Sequence, residues 1–465
     1  MFSSADEKLY LSYPMADNEG KALTVSSIIR NIKSVFTDVT VIENIYEKLN
    51  KLTEVEGVIP TFNKVIKNID NQVWNTVSLW YRENRPDLFK VIENAKKYTN
   101  LPPKLSYQNI KNLYGDEIKS SISRIEKFNQ CQFAYFVRYG LNIDERREFK
   151  IEARDYGTYM HEIIEKFSLF ADDFGWKNIT EEICSTKAKE ITRSVLGSYL
   201  SEFYTESERF TYLFNKIIHA MNTVLWNITS FYKQSGYISL GYEVGFDDGA
   251  DFEPITLKLS DGTVVKLRGK IDRADIRRTE NGNFVSIVDY KSSSKDVDFE
   301  KILCGIQIQL PVYIDAVCKS FKNKGDNVLP AAMLYYHIDS PVIKGDKDMS
   351  DEEIMQEVGK QLKMKGVICE SAEFPSMFVT KKNVTVNQIN KLCKTAYSQM
   401  KNALEKMIDG NININPVFGD NSTACDYCPY GNICNFDTGI KDNKYRRYKK
   451  IKMEEFFAYV DEMDN

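Results

Sequence analysis

Two residues that could do chemistry together, Asp289 and Lys291, close a run of apolar residues from Phe284 to Tyr290. The period-2 alternation of a strand puts both on one face, so a carboxylate and an ammonium converge. The strand-like segment Gly269-Lys270-Ile271-Asp272-Arg273 supplies a second carboxylate. Two carboxylates from adjacent strands can hold a divalent cation, and a lysine beside them can orient or help activate a water for attack on a phosphodiester. Taken alone, D-x-K is more often a surface Asp–Lys pair on an edge strand, an interaction worth little. His161 lies four positions after Gly157 on a helical stretch, where a glycine lets a ligand or another backbone approach. Glu243 opens a strand, and Gln309 and Tyr313 lie four apart on one helix face. Each is commonplace by itself, and a lone helical histidine is usually packed or solvated.

A second group is Cys425-x2-Cys428-x5-Cys434, with the turn formers Asp426, Pro429 and Gly431 between the cysteines. Nine cysteines in a reducing compartment are not a disulfide framework, so clustered ones read as metal ligands. No other cysteine or histidine lies nearby, which argues against a self-contained zinc finger. Cys184, Cys304, Cys318, Cys369 and Cys393 have no partner spacing and read as small buried hydrophobes.

The elements that must position these groups follow from periodicity. An amphipathic helix is predicted from Val25 to Val35, after a strand-like run from Lys8 to Tyr13. Ser121-Ile122-Ser123 caps a helix that runs through Cys131 to Phe136, and a long helical region extends from Gly157 to about Lys233. Strands are predicted at Tyr242 to Phe246, Ile255 to Leu259, Val264 to Ile276 and Phe284 to Tyr290, with Asp261-Gly262 and Asn281-Gly282 as hairpin turns. A helix from Phe299 to Ser320 and a buried strand from Ala331 to Tyr336 complete an α/β sandwich.

With 43% hydrophobic and 28% charged residues the chain is of ordinary globular type. No span approaches the roughly 20 apolar residues that cross a bilayer. The polar, acidic start Met1-Phe2-Ser3-Ser4-Ala5-Asp6 is no signal peptide; a cytoplasmic location and no membrane partner are expected. The net charge of −4 is unevenly spread: residues 441–452 carry seven basic residues against one acidic, with Tyr445 and Tyr448 interleaved. Such a segment could track single-stranded DNA, or be a solvated tail. No G-x-x-x-x-G-K-[ST] phosphate loop occurs, so nothing warrants an ATPase in this chain.

Taken in order, G-x-x-x-H, E, G-x-I-D, D-x-K and Q-x-x-x-Y resemble the RecB-type branch of the PD-(D/E)XK nucleases. The resemblance implies a restriction-endonuclease-like core, a mixed sheet flanked by helices, with helical insertions. It implies His161, Asp272 and Asp289 as ligands of Mg2+, or of Mn2+ in its place, with the Tyr290 carbonyl as an extra ligand. Lys291 becomes the catalytic lysine, Glu243 an ancillary acid, and Gln309 and Tyr313 a helix pair that supports the site and contacts DNA. Ile287-Val288 stands where the superfamily name leads one to seek Pro-Asp, so the first acid is Asp272, as is normal in that branch.

One cysteine before such a nuclease and C-x2-C-x5-C after it resemble the iron–sulfur staple of AddB subunits of bacterial helicase-nucleases. The likeness is good over about residues 115 to 440 and weaker before. It implies Cys131 as the fourth ligand of a [4Fe–4S] cluster, zinc being the alternative. It also implies an AddA-type partner carrying the motor. The expected activity is exonucleolytic hydrolysis of one strand, the 5′-ended one, during double-strand-break repair by homologous recombination, with duplex ends and single strands as substrates. The expected domains are a helicase-like remnant over 1–115, a nuclease over 116–440 with a helical insertion over about 172–236, and a basic tail over 441–465. Two other readings compete. A stand-alone iron–sulfur nuclease of the CRISPR-adaptation type would leave 1–115 unexplained, and a silent DNA-end-binding module would have no need to place His161, Asp272, Asp289 and Lys291 together.

Overall fold

A computed structural model describes residues 7–16, 22–36, 39–41, 55–68, 71–115, 118–145, 153–199, 208–247, 249–338, 349–380, 382–419, 422–440 and 442–464. The start Met1 to Asp6, positions 200–207 of the expected helical region and Lys441 of the basic segment lie outside these. Contacts divide the chain into two units, Met1–Tyr98 and Thr99–Asn465.

In the first unit, helices Val58–Lys67, Gln72–Asn84 and Pro86–Lys97 pack around Val65, Trp74, Tyr81 and Ile92. Asn71 caps the second by accepting from Val73 N–H at 2.9 Å, and Pro86 opens the third, where its missing N–H costs nothing. The expected amphipathic helix forms over Ser27–Val35. Lys8 to Tyr13 forms no strand. Alternation marks faces, but a strand also needs a partner to take its backbone hydrogen bonds.

The second unit is built on a mixed sheet. Its strands are β1 (Lys119–Ser121), β2 (Ile238–Phe246), β3 (Ile255–Lys258), β4 (Val264–Thr279), β5 (Gly282–Lys291), β6 (Val328–His337), β7 (Met364–Cys369), β8 (Val379–Thr380) and β9 (Asn383–Val384). The main path runs β1-β4-β5-β6-β7-β8; β2 and β3 also pair with β4, and β9 pairs with β7. Pairing is antiparallel for β4–β5 and parallel for β5–β6; β2 and β3 each pair antiparallel with a different stretch of β4, so β2 to β5 are not a simple antiparallel meander of successive neighbours, and β6 adds a crossover strand. Gly262 and Gly282, with φ of 91° and 132°, make the two hairpin turns, where a Cβ would be strained.

Strands β5 and β6 are buried on both faces, which their unbroken apolar runs require. One face packs against helices Ile122–Gln130, Gln309–Asn323, Val386–Ile408 and Met453–Asp464 through residues such as Ile287, Ile314, Leu392 and Phe456. The other packs against Ala153–Phe174, Glu181–Tyr199 and Glu208–Ser235 through Ile163, Phe167, Leu225 and Val288. The helical region expected as an insertion is therefore one layer of the core. Burying each such Ile or Phe contributes about 1.5–3 kcal/mol.

Two boundaries differ from those drawn on the sequence. The second unit begins at Thr99 rather than near 116, because Leu105 N–H donates to Gly410 O at 2.9 Å and ties this segment to the end of the Val386–Ile408 helix. Residues 442–464 are no free tail. A small second sheet forms from β10 (Val417–Gly419), β11 (Ser422–Thr423) and β12 (Arg446–Arg447), with β12 parallel to β10, and Phe456, Phe457 and Val460 sit in the core. Among the cysteines without partner spacing, Cys184, Cys369 and Cys393 are buried as expected, whereas Cys304 and Cys318 are half-exposed.

Gly410 has φ 77°, and a Cβ there would lie 2.3 Å from the Leu105 carbonyl. Gly410→Ala therefore combines backbone strain with a clash, and a loss of about 2–4 kcal/mol in urea unfolding is expected. Limited proteolysis should then open the 99–114 segment first.

Candidate active site and cysteine cluster

The β4–β5 ladder ends at the pair Arg273–Val288. Beyond it, the Asp272 carboxylate replaces the lost strand contact by accepting from Tyr290 N–H at 2.7 Å. On the other side of β4, residues 242 and 244 of β2 face Arg273 and Ile271, leaving Glu243 opposite Asp272. Here the sheet departs from regularity. Val244 and Ile271 belong to one core face, whereas the Tyr242 hydroxyl bonds to Tyr232 and the Arg273 guanidinium lies 4.8 Å from the rings of Phe231 and Tyr232, on the other face. Residues two apart normally share a face. The switch occurs at Glu243, whose φ of 49° is left-handed, a conformation that costs a non-glycine residue energy and persists only where its surroundings enforce it.

This irregular point faces His161 on the Ala153–Phe174 helix. His161 Nε2 lies 3.1 Å from Tyr290 O, which fixes the ring with Nε2–H as donor in the neutral form. Nδ1 then faces Glu243 Oε1 at 3.5 Å and Asp272 Oδ2 at 3.6 Å. The ligand atoms of His161, Glu243 and Asp272 all lie within 4.8 Å of one another, and each residue is half-buried. A lone pair aimed at two carboxylates is satisfied by a proton or by a metal cation. The donor set thus fits a divalent ion. Burial opposes charge on His161, but the Glu243 hydrogen bond and the Asp272 charge leave its pKa above the ordinary value. Asp272 is pushed up to about 7 by burial and then by the charge of Asp289.

The structure thus brings Glu243, expected as ancillary, into the same ligand group as His161 and Asp272. Asp289 lies beside that group, its carboxylate ion-paired with Lys291. The Tyr290 carbonyl accepts from His161. Tyr313 is 5% exposed and stacks on Phe246 at 5.5 Å, its hydroxyl 2.7 Å from where a Cβ on Gly269 would lie, so it supports the strands rather than offering a face to DNA. Gln309 opens the Gln309–Asn323 helix, half-buried, and bonds to the Tyr313 hydroxyl, raising the question of which group holds it there. The answer is Glu126, which sequence reasoning missed: its Oε1 accepts from Ile308 N–H at 2.7 Å and Gln309 N–H at 3.1 Å, capping that helix. Burial raises the Glu126 pKa. Lys295, also missed, is nearby, and burial lowers its pKa. Neither carries a periodic signal; only the fold brings them to the site. No close backbone approach occurs at Gly157, where a Cβ would meet nothing within 4 Å.

The four clustered cysteines meet from two ends of this unit. Cys131 sits between helices Ile122–Gln130 and Gln132–Tyr135, packed with Ala134, Val137 and Tyr430. Cys428 N–H donates to Cys425 O at 3.0 Å in a tight turn, and Cys434 ends the one-turn helix Gly431–Cys434. Burial, together with the neighbouring Cys131, Cys428 and Cys434 thiols, pushes the Cys425 thiol up to about 12. Thiolates that disfavour one another at such close quarters suit a shared metal cation. Gln132 N–H to Asn415 Oδ1 at 3.1 Å, Tyr430 Oη to Ile143 O at 2.9 Å and Asn100 Nδ2 to Cys434 O at 3.0 Å hold the loop against the helices. The basic segment joins this packing. Tyr445 lies 4.8 Å from Phe436 and bonds to Cys425, Tyr448 covers Gly419, and Arg446 donates to Asn415 O at 2.8 Å. Both tyrosines are therefore engaged within the protein, whereas Lys444, Lys449, Lys450 and Lys452 remain exposed.

Residues 119–435 match the model of the PD-(D/E)XK nuclease superfamily. The chain belongs to this superfamily. Within it, the chain is 33% identical over 99% of its length to the B subunit of the ATP-dependent helicase/deoxyribonuclease of Caldanaerobacter subterraneus subsp. tengcongensis, and 34% identical over 97% to the protein of the same name in Clostridium botulinum strain Hall. It spans 43% of each of these relatives. The match takes in residues 1–115 as well, which a short CRISPR-adaptation nuclease would leave unexplained. Asp272 stands on β4 and Asp289 on β5, and no helix among the described residues is long and apolar enough to cross a membrane.

A metal ion bound by Asp272 would displace its proton, so binding there would strengthen as pH rises through about 7. Calorimetric titration with Mn2+ should show affinity falling about tenfold from about pH 8 to about pH 6, and Asp272→Asn should remove both the binding and its pH dependence. Without metal the sign is opposite: the raised pKa favours the protonated native state, so the stability from Asp272 is full below about pH 4 and is lost as pH rises through about 7.

Proposed function

We propose that this chain carries a divalent-metal-dependent deoxyribonuclease site that hydrolyses one strand of DNA exonucleolytically. The convergence of His161, Glu243 and Asp272 beside the Asp289–Lys291 pair carries this reading. Mg2+, or Mn2+ in its place, would be held by these residues and Asp289, and would polarise the phosphate and lower the pKa of a bound water. The protein's own groups do the rest. His161 is oriented by the Tyr290 carbonyl, Lys291 is held by Asp289 where it can direct a water or meet a phosphate oxygen, and Glu126 fixes Gln309 at the rim.

The relatives' name supports a wider role. We infer an AddB-type subunit that works in the cytoplasm with an AddA-type, ATP-driven partner, takes duplex ends and single strands, and degrades the 5′-ended strand in double-strand-break repair by homologous recombination. Cys131, Cys425, Cys428 and Cys434 would hold a [4Fe–4S] cluster. Four neighbouring thiols suit it, and the cluster would join the start of the domain to its end. By analogy with a disulfide, closing a loop of about 300 residues removes about 6 kcal/mol of chain entropy from the unfolded state.

Two measurements test this. Asp289→Ala and Lys291→Ala should each lower Mg2+-dependent DNA cleavage by at least about a thousandfold with near-native circular dichroism, because positioning of metal and water supplies most of the rate; retained cleavage by Asp289→Ala refutes the site. Cys131→Ala should yield colourless protein as completely as Cys428→Ala does, with protease-sensitive chain after Asn415 and weakened binding to DNA ends. A Cys131→Ala protein that keeps its iron and its visible absorbance refutes the four-cysteine ligand set.

A further inference from the structure

The edge of the sheet next to Asp289 carries a second group of cations. Strand register pairs Asp289 with Tyr335 and Tyr335 with Lys365, so the three form one row across β5, β6 and β7. Directly paired residues share a face. The Lys295 ammonium lies 4.7 Å from the centroid of the Tyr335 ring, and Lys365 Nζ donates to Ser294 Oγ at 2.9 Å. Between Lys291 and Lys295 runs Ser292-Ser293-Ser294, all three exposed. Two ammonium groups and a hydroxyl-rich loop thus adjoin the Asp289–Lys291 pair.

The charges that face Lys295 are Glu126, Asp289, Lys291 and Lys301. Asp289 is paired with Lys291, and Lys301 with Asp298 at 3.2 Å. Glu126 Oε1 is engaged by two backbone N–H groups. Glu126 is thus the carboxylate that balances Lys295, whereas Lys365, bonded to Ser294, has no carboxylate within ion-pair distance among the described residues, so positive charge is left over at the rim. Burial lowers the Lys295 pKa, a cost that an anion seated beside it would offset. Next to a phosphodiester-cleaving centre, the anion that recurs at a fixed offset is the next phosphate of the same strand.

We propose that Lys295 and Lys365, with the Ser292–Ser294 loop, form a second phosphate subsite that binds the phosphodiester adjacent to the scissile one. The proposal rests on the nuclease reading of the Asp289 site. The subsite fixes the register of the strand along the β5–β7 edge and draws affinity from a single backbone phosphate, irrespective of base.

The test uses the full chain and a fluorescein-labelled single-stranded oligonucleotide, with Ca2+ replacing Mg2+. Anisotropy gives the affinity, and a neutral methylphosphonate is moved along the oligonucleotide one linkage at a time. For the unaltered protein, neutralising one particular linkage beside the scissile position should weaken binding about fivefold. In Lys365→Met and Lys295→Met that sensitivity should vanish at that linkage alone, and the salt slope should fall by about 0.7 per lost contact. Lys295→Arg should retain it. If both methionine variants keep the same sensitive linkage, the subsite does not exist. If Lys295→Met weakens binding at every linkage and lowers thermal stability while leaving the pattern intact, Lys295 is only a counterion for Glu126, and the proposal fails. Cleavage of the unmodified oligonucleotide in Mg2+ is scored separately: its absence refutes the nuclease reading, while the binding pattern still decides the subsite.

Discussion

The Asp272 carboxylate is the contact on which the site depends. It stands where the β4–β5 ladder gives out and takes Tyr290 N–H, so one side chain both closes the end of the sheet and faces His161. That double role has a cost. Burial beside Asp289 makes its ionised form unfavourable, and the strain of a left-handed Glu243 is added next to it. A fold selected only for stability would place neither. Residues held against their own preferences at one point, with a lone pair aimed at two carboxylates, are what a cation site requires before the cation arrives.

Around that point the protein is stiffened by groups that never meet the reacting atoms. Behind β4, Arg273 is 1% exposed and is paired with Asp275 at 2.7 Å, while Asp275 also accepts from the Tyr232 hydroxyl at 2.6 Å. A buried ion pair is weak evidence for stability, since desolvation offsets most of its attraction. Its value here is positional: the arginine directly follows Asp272 in sequence and lies against the adjacent rings of Phe231 and Tyr232, so β4 has little freedom to turn. In front, Tyr313 packs against Gly269, and Glu126 ties the Gln309–Asn323 helix to the Ile122–Gln130 helix.

The cysteine group addresses a different problem. The last strand-and-helix segment packs on elements formed from the start of the same unit, a contact between residues far apart in sequence whose loop-closure entropy is large. Arg446, Asn415 and Tyr430 supply hydrogen bonds across that join, and Cys131 and Cys428 sit in its apolar cluster with the other two thiols beside them. A shared metal centre would turn a set of modest contacts into a covalent-strength closure. The tyrosines of the basic segment, which by composition could stack on bases, are engaged in this join. Ring geometry inside the protein, and not charge patterning, decides their use.

Local pattern was enough to read much of this protein. Period-2 runs with Asp-Gly and Asn-Gly turns located β3, β4 and β5, because turn chemistry and alternation act over a few residues. The spacing of Asp289 and Lys291 on one face, and the C-x2-C-x5-C loop, are likewise local facts. Tertiary structure decided what no window of sequence contains. It brought Glu243 into contact with His161, because a single left-handed residue moved the strand's faces. It made the helical region a layer of the core and drew the C-terminal helix into it, because both faces of β5 and β6 had to be covered. It also brought Glu126 and Lys295 to the site from segments without periodic signal. Side-chain direction follows from the backbone over two or three residues, whereas proximity across the chain follows only from how whole elements pack.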